Sequence, residues 1–278
     1  MDKHFIEMAG LRLRTDCPEE FLKEPGILEG YLTSSGDWDH HYHLMLEEKL
    51  PEPEGALLFD SDEFTIHRQE EFWTRQIGDY IQVRRHGRES SVIYRRGSLP
   101  HGIGAKPLLM AMELEQLLAD HDGFLLHASY IRHDGGAILF TAPSETGKST
   151  QAQLWCDFKD AELINGDRVA VRMLDGRAMA CGIPFSGSSR SRKNVKLPLK
   201  AIVYLSQAKE NSITRLRGAR AFSRIWEGCG VPMWDRKAVE QVAATLSAVL
   251  TQVPVYHLAC TPDERAVTLL SDTMEAYA

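Results

Sequence analysis

Lys148, Ser149 and Asp167 are the side chains in this sequence whose types and spacing suit chemistry on a phosphate. The run Thr141-Ala142-Pro143-Ser144-Glu145-Thr146-Gly147-Lys148-Ser149-Thr150 follows the pattern G-x-x-x-x-G-K-[ST], with Ala142 in the place of the first glycine. In that pattern consecutive backbone N–H groups wrap a phosphate, the lysine reaches the terminal oxygens and the hydroxyl ligates Mg²⁺. Ser144 to Thr150 are therefore the expected nucleotide contacts. Ala142 suits its position if φ stays negative there, and fails if the turn needs a left-handed residue.

A phosphate loop requires a strand before it and a helix after it. Gly136 to Thr141 is a short apolar run and predicts a buried strand, and Lys148 to Trp155 has a helical composition with Ala152 and Trp155 on one face. Phe124 to Ile131 predicts a further strand, and His133-Asp134-Gly135-Gly136 carries the Asp-Gly signal of a tight hairpin between the two. The strand leading into the loop is then antiparallel to its predecessor, unlike the parallel βαβ approach of common nucleotide-binding domains. Asp167, in Asn165-Gly166-Asp167-Arg168-Val169, is the carboxylate placed to hold Mg²⁺ from a second side or to accept a proton from an attacking hydroxyl.

The segment from Gly182 to Lys196 has no regular period and reads as a loop rich in hydroxyls, followed by Arg190, Arg192, Lys193 and Lys196. Cations there would suit a transferring phosphoryl group, and Arg190 is the expected contact because it lies closest to the Ser186-Gly187-Ser188-Ser189 turn.

Together the segments Leu126-His127-Ala128-Ser129, Ala142 to Thr150, Asn165 to Val169 and Gly182 to Ser189 resemble the HPr kinase/phosphorylase superfamily. They are most similar to its divergent HPr-kinase-like branch, whose fold is shared with the nucleotide domain of ATP-dependent phosphoenolpyruvate carboxykinase. The resemblance spans roughly residues 120 to 275. It implies that His127 lies near the transferred phosphoryl group, that Lys148 and Ser149 contact triphosphate and Mg²⁺, and that Asp167 is the base for a serine hydroxyl. Gly166 stands where the family has its first acid, and Thr150 where the regulatory kinases carry Glu. No segment matches the one that gives true HPr kinases phosphorylase activity, so kinase chemistry is the expectation rather than phosphorolysis.

The remaining elements are scaffold. Leu199 to Leu205, Ser212 to Leu216 and Pro254 to Cys260 predict strands; Gly218 to Trp226, Arg236 to Leu250 and Pro262 to Tyr277 predict helices, the last capped by Thr261. The expected fold class is α/β: a mixed, largely antiparallel sheet covered by helices, forming a P-loop domain over 101–278. Residues 1–100 predict a β-rich N-terminal lobe or sheet extension, with strands at Phe64 to His67, Tyr80 to Arg84 and Ser91 to Tyr94. Lys106 to Asp120 predicts one amphipathic helix. The cluster His40-His41-Tyr42-His43 lacks cysteine partners or helical His-x-x-x-His spacing, and reads as a solvated stretch rather than a metal site.

Composition limits the alternatives. The chain has 278 residues, 43% of them hydrophobic, and a formal net charge of −7, which argues against a broad nucleic-acid-binding field. No run is long enough for a membrane span, the N-terminus lacks a signal-peptide core, and five scattered cysteines suit a reducing cytoplasm. The expected activity is ATP- and Mg²⁺-dependent transfer of a phosphoryl group to a hydroxyl, most simply a serine in a small protein or peptide. A small-molecule acceptor and a non-catalytic nucleotide-binding module are the alternatives. Family members form rings or dimers, so the resemblance also allows a homo-oligomer.

Overall fold

The computed structural model describes residues 2–18, 26, 28–34, 36–98, 105–186 and 191–276. The chain forms two compact units, Met1–Leu114 and Glu115–Ala278. Arg190 lies outside the described residues.

The first unit is built on a nine-stranded sheet. Its strands are β1 (Asp2–Met8), β2 (Leu11–Cys17), β3 (Leu32–Thr33), β4 (His40–Glu47), β5 (Ala56–Asp60), β6 (Thr65–Gln69), β7 (Phe72–Ile77), β8 (Ile81–His86) and β9 (Glu89–Arg95). They lie in the order β3-β1-β2-β4-β9-β8-β7-β6-β5. Most neighbours are antiparallel, as hairpins demand, but β2–β4 and β4–β9 are parallel. The His-rich segment is thus a strand at the middle of the sheet. His40 and His41 are buried, correcting the expectation of a solvated stretch.

One expected helix is two. The chain makes α1 (Ala105–Ala111) and α2 (Leu114–Ala119), divided at Glu113, whose φ of 47° is left-handed. The break re-phases the apolar stripe: Leu108, Leu109 and Met112 are buried in one piece, and Leu114, Leu117 and Leu118 in the next.

The second unit continues with β10 (Gly123–His133), β11 (Gly136–Thr141), α3 (Lys148–Lys159), β12 (Glu162–Asn165), β13 (Arg168–Leu174), β14 (Arg177–Cys181) and β15 (Lys196–Gln207). It closes with β16 (Ser212–Leu216), α4 (Gly218–Trp226), β17 (Cys229–Gly230), α5 (Arg236–Gln252), β18 (Val255–Cys260) and α6 (Glu264–Ala276). β10 and β11 form the expected hairpin, with His133 opposite Gly136 and both turn residues left-handed, Asp134 at 47° and Gly135 at 71°. β11, β15 and β18 are mutually parallel, whereas the pairs β10–β13, β13–β14 and β14–β15 are antiparallel. The sheet is therefore mixed.

Alternation sends successive residues to opposite faces, and each face has its own core. On one, Leu126, Ala128, Leu139 and Ile202 pack with Ile225 of α4 and Val242, Leu246 and Val249 of α5. On the other, Ile138, Phe140, Val203 and Leu258 pack with Ala152 and Trp155 of α3 and Val267 and Leu270 of α6. The buried positions of α3, Lys148, Gln151, Ala152 and Trp155, fall at helical spacing, so the packing that seats this helix also aims its first residue inward. α6 is capped by Asp263, which accepts from Ala266 N at 3.2 Å, rather than by Thr261, whose hydroxyl bonds Asn211 and Asp263 instead.

Candidate functional site

The site lies at the carboxyl end of β11, where Thr141 gives way to the loop. The loop is shaped by its backbone. Glu145 has a φ of 62° and Gly147 a φ of 110°, two left-handed residues in close succession. Such reversals turn N–H groups toward a common concavity that suits an anion, beside the N-terminus of α3. Gly147 has open space where a Cβ would go, so the requirement for glycine there is conformational rather than steric. Ala142 is not among the residues of positive φ, and it is buried against the core, so the departure from glycine is tolerated at this position.

Lys148, the first residue of α3, is 8% exposed. Its ammonium donates to the carbonyls of Ala142 at 3.1 Å and Pro143 at 3.2 Å, folding back over the loop. Burial lowers its pKa, while Asp167 acts to raise it. Ser144, Glu145, Ser149 and Thr150 are exposed, and Thr146 and Gly147 are half-buried. The side chain of Glu145 thus faces solvent, and its carbonyl accepts from Gln207 Nε2 at 3.4 Å.

Asp167 follows β12, and its position comes from a neighbour. Asn165 is fully buried; its Oδ1 accepts from Asp167 N at 2.9 Å and Arg168 N at 3.1 Å, an Asx turn that reverses the chain between β12 and β13. Its Nδ2 donates to Ile183 O at 3.1 Å and to Phe185 O, tying the turn to the next loop. The sequence reading did not select Asn165 as a site residue. An Asn two residues before the acid was the available signal.

Gly166 joins the two halves. Its carbonyl accepts from Ser129 Oγ at 3.1 Å and from Ser149 Oγ at 3.4 Å, so Ser149 and Asp167 flank one peptide group. His127 completes the group: Ala128 pairs with Thr141, which sets His127 at the loop end of the hairpin. Its Nε2 lies 3.5 Å from Asp167 Oδ1. Burial lowers the His127 pKa, as do Lys148 and Arg168, with Asp167 opposing them.

His127 is also held through its backbone. Its N–H donates to Gly228 O at 2.8 Å, and its carbonyl accepts from Thr141 Oγ1 at 2.9 Å. A Cβ on Gly228 would fall 2.9 Å from that hydroxyl, so the loop after α4 approaches closely because the residue is glycine. Arg168 links Asp167 Oδ2 at 3.4 Å to Glu115 Oε1 at 3.9 Å. Of the basic residues after β14, Lys193 is committed to Glu162 at 2.5 Å, which also pairs with Arg132.

Lys148, Ser149, His127 and Asp167 are thereby brought together from three parts of the chain. The donor set fits a nucleotide with its metal: a left-handed loop of N–H groups, a buried ammonium resting on carbonyls of its own loop, and a hydroxyl and a carboxylate beside one carbonyl.

No protein-family model matches the sequence, and no curated protein matches it. Among solved structures, the Hpr(Ser) kinase/phosphatase from Coxiella burnetii aligns with a TM-score of 0.36 and 10% identity, over 55% of this chain and 97% of that one. A likeness at that TM-score supports no inference about fold or activity.

Proposed function

We propose that this chain is an ATP- and Mg²⁺-dependent phosphotransferase that delivers a phosphoryl group to a hydroxyl, a serine of a small protein or peptide. The observation that carries this reading is that Ser149 and Asp167 flank the Gly166 carbonyl, with the Lys148 ammonium near enough to feel the Asp167 charge. A phosphate loop alone accounts for binding; a carboxylate beside it adds a proton acceptor.

In this account the loop amides and Lys148 bind the triphosphate, Lys148 exchanging the carbonyls of Ala142 and Pro143 for phosphate oxygens. Ser149 and Asp167 would hold Mg²⁺, which neutralises phosphate charge when bound. Asp167 orients the acceptor hydroxyl and takes its proton. His127 offers a hydrogen bond beside the transferring group. Arg168 and Asn165 fix the direction of Asp167. The alcohol chemistry rests on Asp167, and the choice of a protein serine rests on the resemblance of the ordered motifs.

One observation favours a second reading. Gly166 contributes only a carbonyl where the resembling family has its first acid, and a single carboxylate suits a module that binds nucleotide without turnover. The test is transfer of the labelled γ-phosphoryl group of ATP into an extract of the organism, comparing wild type with Asp167→Asn. Asp167-dependent label in a protein or peptide supports the kinase. Label among small solutes changes the acceptor class, and bound ATP with no label anywhere supports the second reading.

A further inference from the structure

In the first unit, β2 and β4 run parallel with Arg14 opposite His41 and Asp16 opposite His43. Residues two apart on a strand share a face. Asp16, His41 and His43 consequently gather on one side of the sheet, each offering a ligand atom within 4.8 Å of the others. The group is well enclosed: the side chain of His41 is 5% exposed and that of Asp16 12%.

His41 Nε2 is buried and lies 3.1 Å from Asp16 Oδ2, a contact poorly aligned for an N–H donor. Its Nδ1 faces Glu89 Oε1 at 3.8 Å, from the adjacent parallel strand β9, where Glu89 is in register with His41. The Nε2 edge of His41 thus faces a carboxylate oxygen of Asp16, and its Nδ1 edge faces Glu89. An imidazole nitrogen and a carboxylate oxygen at this separation can share a metal ion.

The His43 ring stands 3.8 Å from that of His41, centroid to centroid. It opens on a cleft of about 730 Å³ lined also by Glu71, Arg84, His86 and Glu89, which gives an ion a route in. We propose that Asp16, His41 and His43 bind one divalent transition-metal ion of the Zn²⁺ class, with Glu89 as the carboxylate behind His41. Two imidazoles and one carboxylate suit Zn²⁺ and its neighbours, whereas Mg²⁺ and Ca²⁺ prefer oxygen alone. Ligand atoms on a tetrahedral Zn²⁺ are about 3.4 Å apart, so the half-buried His43 rotates inward on binding. Three protein ligands leave a fourth position for water or a molecule from the cleft.

Arg14 is the competitor. It grips Asp16 with both N–H directions, Nε to Oδ1 at 2.9 Å and Nη2 to Oδ2 at 2.7 Å, leaving each oxygen a second lone pair. Its charge weakens cation binding, so removing it should strengthen the site. A mere His–Asp ion pair makes no such prediction.

The test is calorimetric titration of Zn²⁺ into the untagged, metal-stripped full chain, with Co²⁺ absorption as a second readout. One ion per chain is expected at the site, weakened at least about tenfold in Asp16→Asn and His43→Ala and tightened in Arg14→Gln. His43 is only half-buried, so its variant should keep the wild-type circular dichroism even if Asp16→Asn does not fold. Absence of binding, equal affinity in His43→Ala, or a thiolate-to-Co²⁺ charge-transfer band placing the ion on cysteine would each overturn the proposal.

Discussion

The phosphate loop and the Asp167 turn meet at one carbonyl, yet they are built by different means. The loop is a backbone device: its shape depends on φ at Glu145 and Gly147, and the core behind it needs only the small Ala142. The turn is a side-chain device, in which buried Asn165 spends both ends of its amide on four backbone groups. A backbone device tolerates changes that respect φ. A side-chain device fails with its one residue, because the buried groups it leaves unpaired each cost about 1–3 kcal/mol.

The largest expected effect separates binding from turnover. Asp167→Asn should lower transfer by about 10²–10⁴-fold, as loss of a general base does, while nucleotide affinity measured by calorimetry without Mg²⁺ stays near wild type. Lys148→Ala should instead lose affinity. If both variants lose affinity equally, loop and turn do not have separate roles.

Next in size is Asn165→Ala, expected to destabilise the second unit by about 2 kcal/mol or more in denaturant titration. The same variant should slow transfer more than it weakens nucleotide binding. Gly147→Ala has space for its methyl group but not the conformation, and should cost about 1–2 kcal/mol of stability together with nucleotide affinity. Ala142→Gly should change affinity little and stability by less than about 1 kcal/mol, since Ala142 needs no left-handed φ. A large gain in affinity on restoring this glycine would contradict the backbone account.

The smallest effect is on pH. The folded-state pKa of His127 lies below its ordinary 6.5, so its contribution to stability is complete above that value and is lost as pH falls through the folded value. His41 and His257 are shifted in the same direction. Resonance titration should place all three below 6.5, and His127→Gln should remove part of the acid loss in the second unit.

The same contrast explains what the sequence disclosed. Gly147 and the Asp134-Gly135 pair announce local backbone conformations, so the loop, the β10–β11 hairpin and the inward stripe of α3 were legible from neighbouring residues. Asn165 was not, because its anchors Ile183 and Phe185 lie 18 and 20 residues away. The break at Glu113 was hidden for a similar reason: its composition favours helix, and packing re-phases the stripe. In the first unit, His40 and His41 of β4 look polar in sequence and become buried where β4 pairs in parallel with β2 and β9. No described helix is long and apolar enough to cross a membrane, in line with the absence of a long apolar run.

The central claim is that Asp167 adds chemistry to a loop that can bind nucleotide without it. The direct test is a paired measurement on wild type and Asp167→Asn: ATP affinity without Mg²⁺, and the rate of label transfer with Mg²⁺ to the acceptor found in the extract. The account predicts matched affinities and a transfer rate that collapses in the variant. Equal transfer in Asp167→Asn would contradict it.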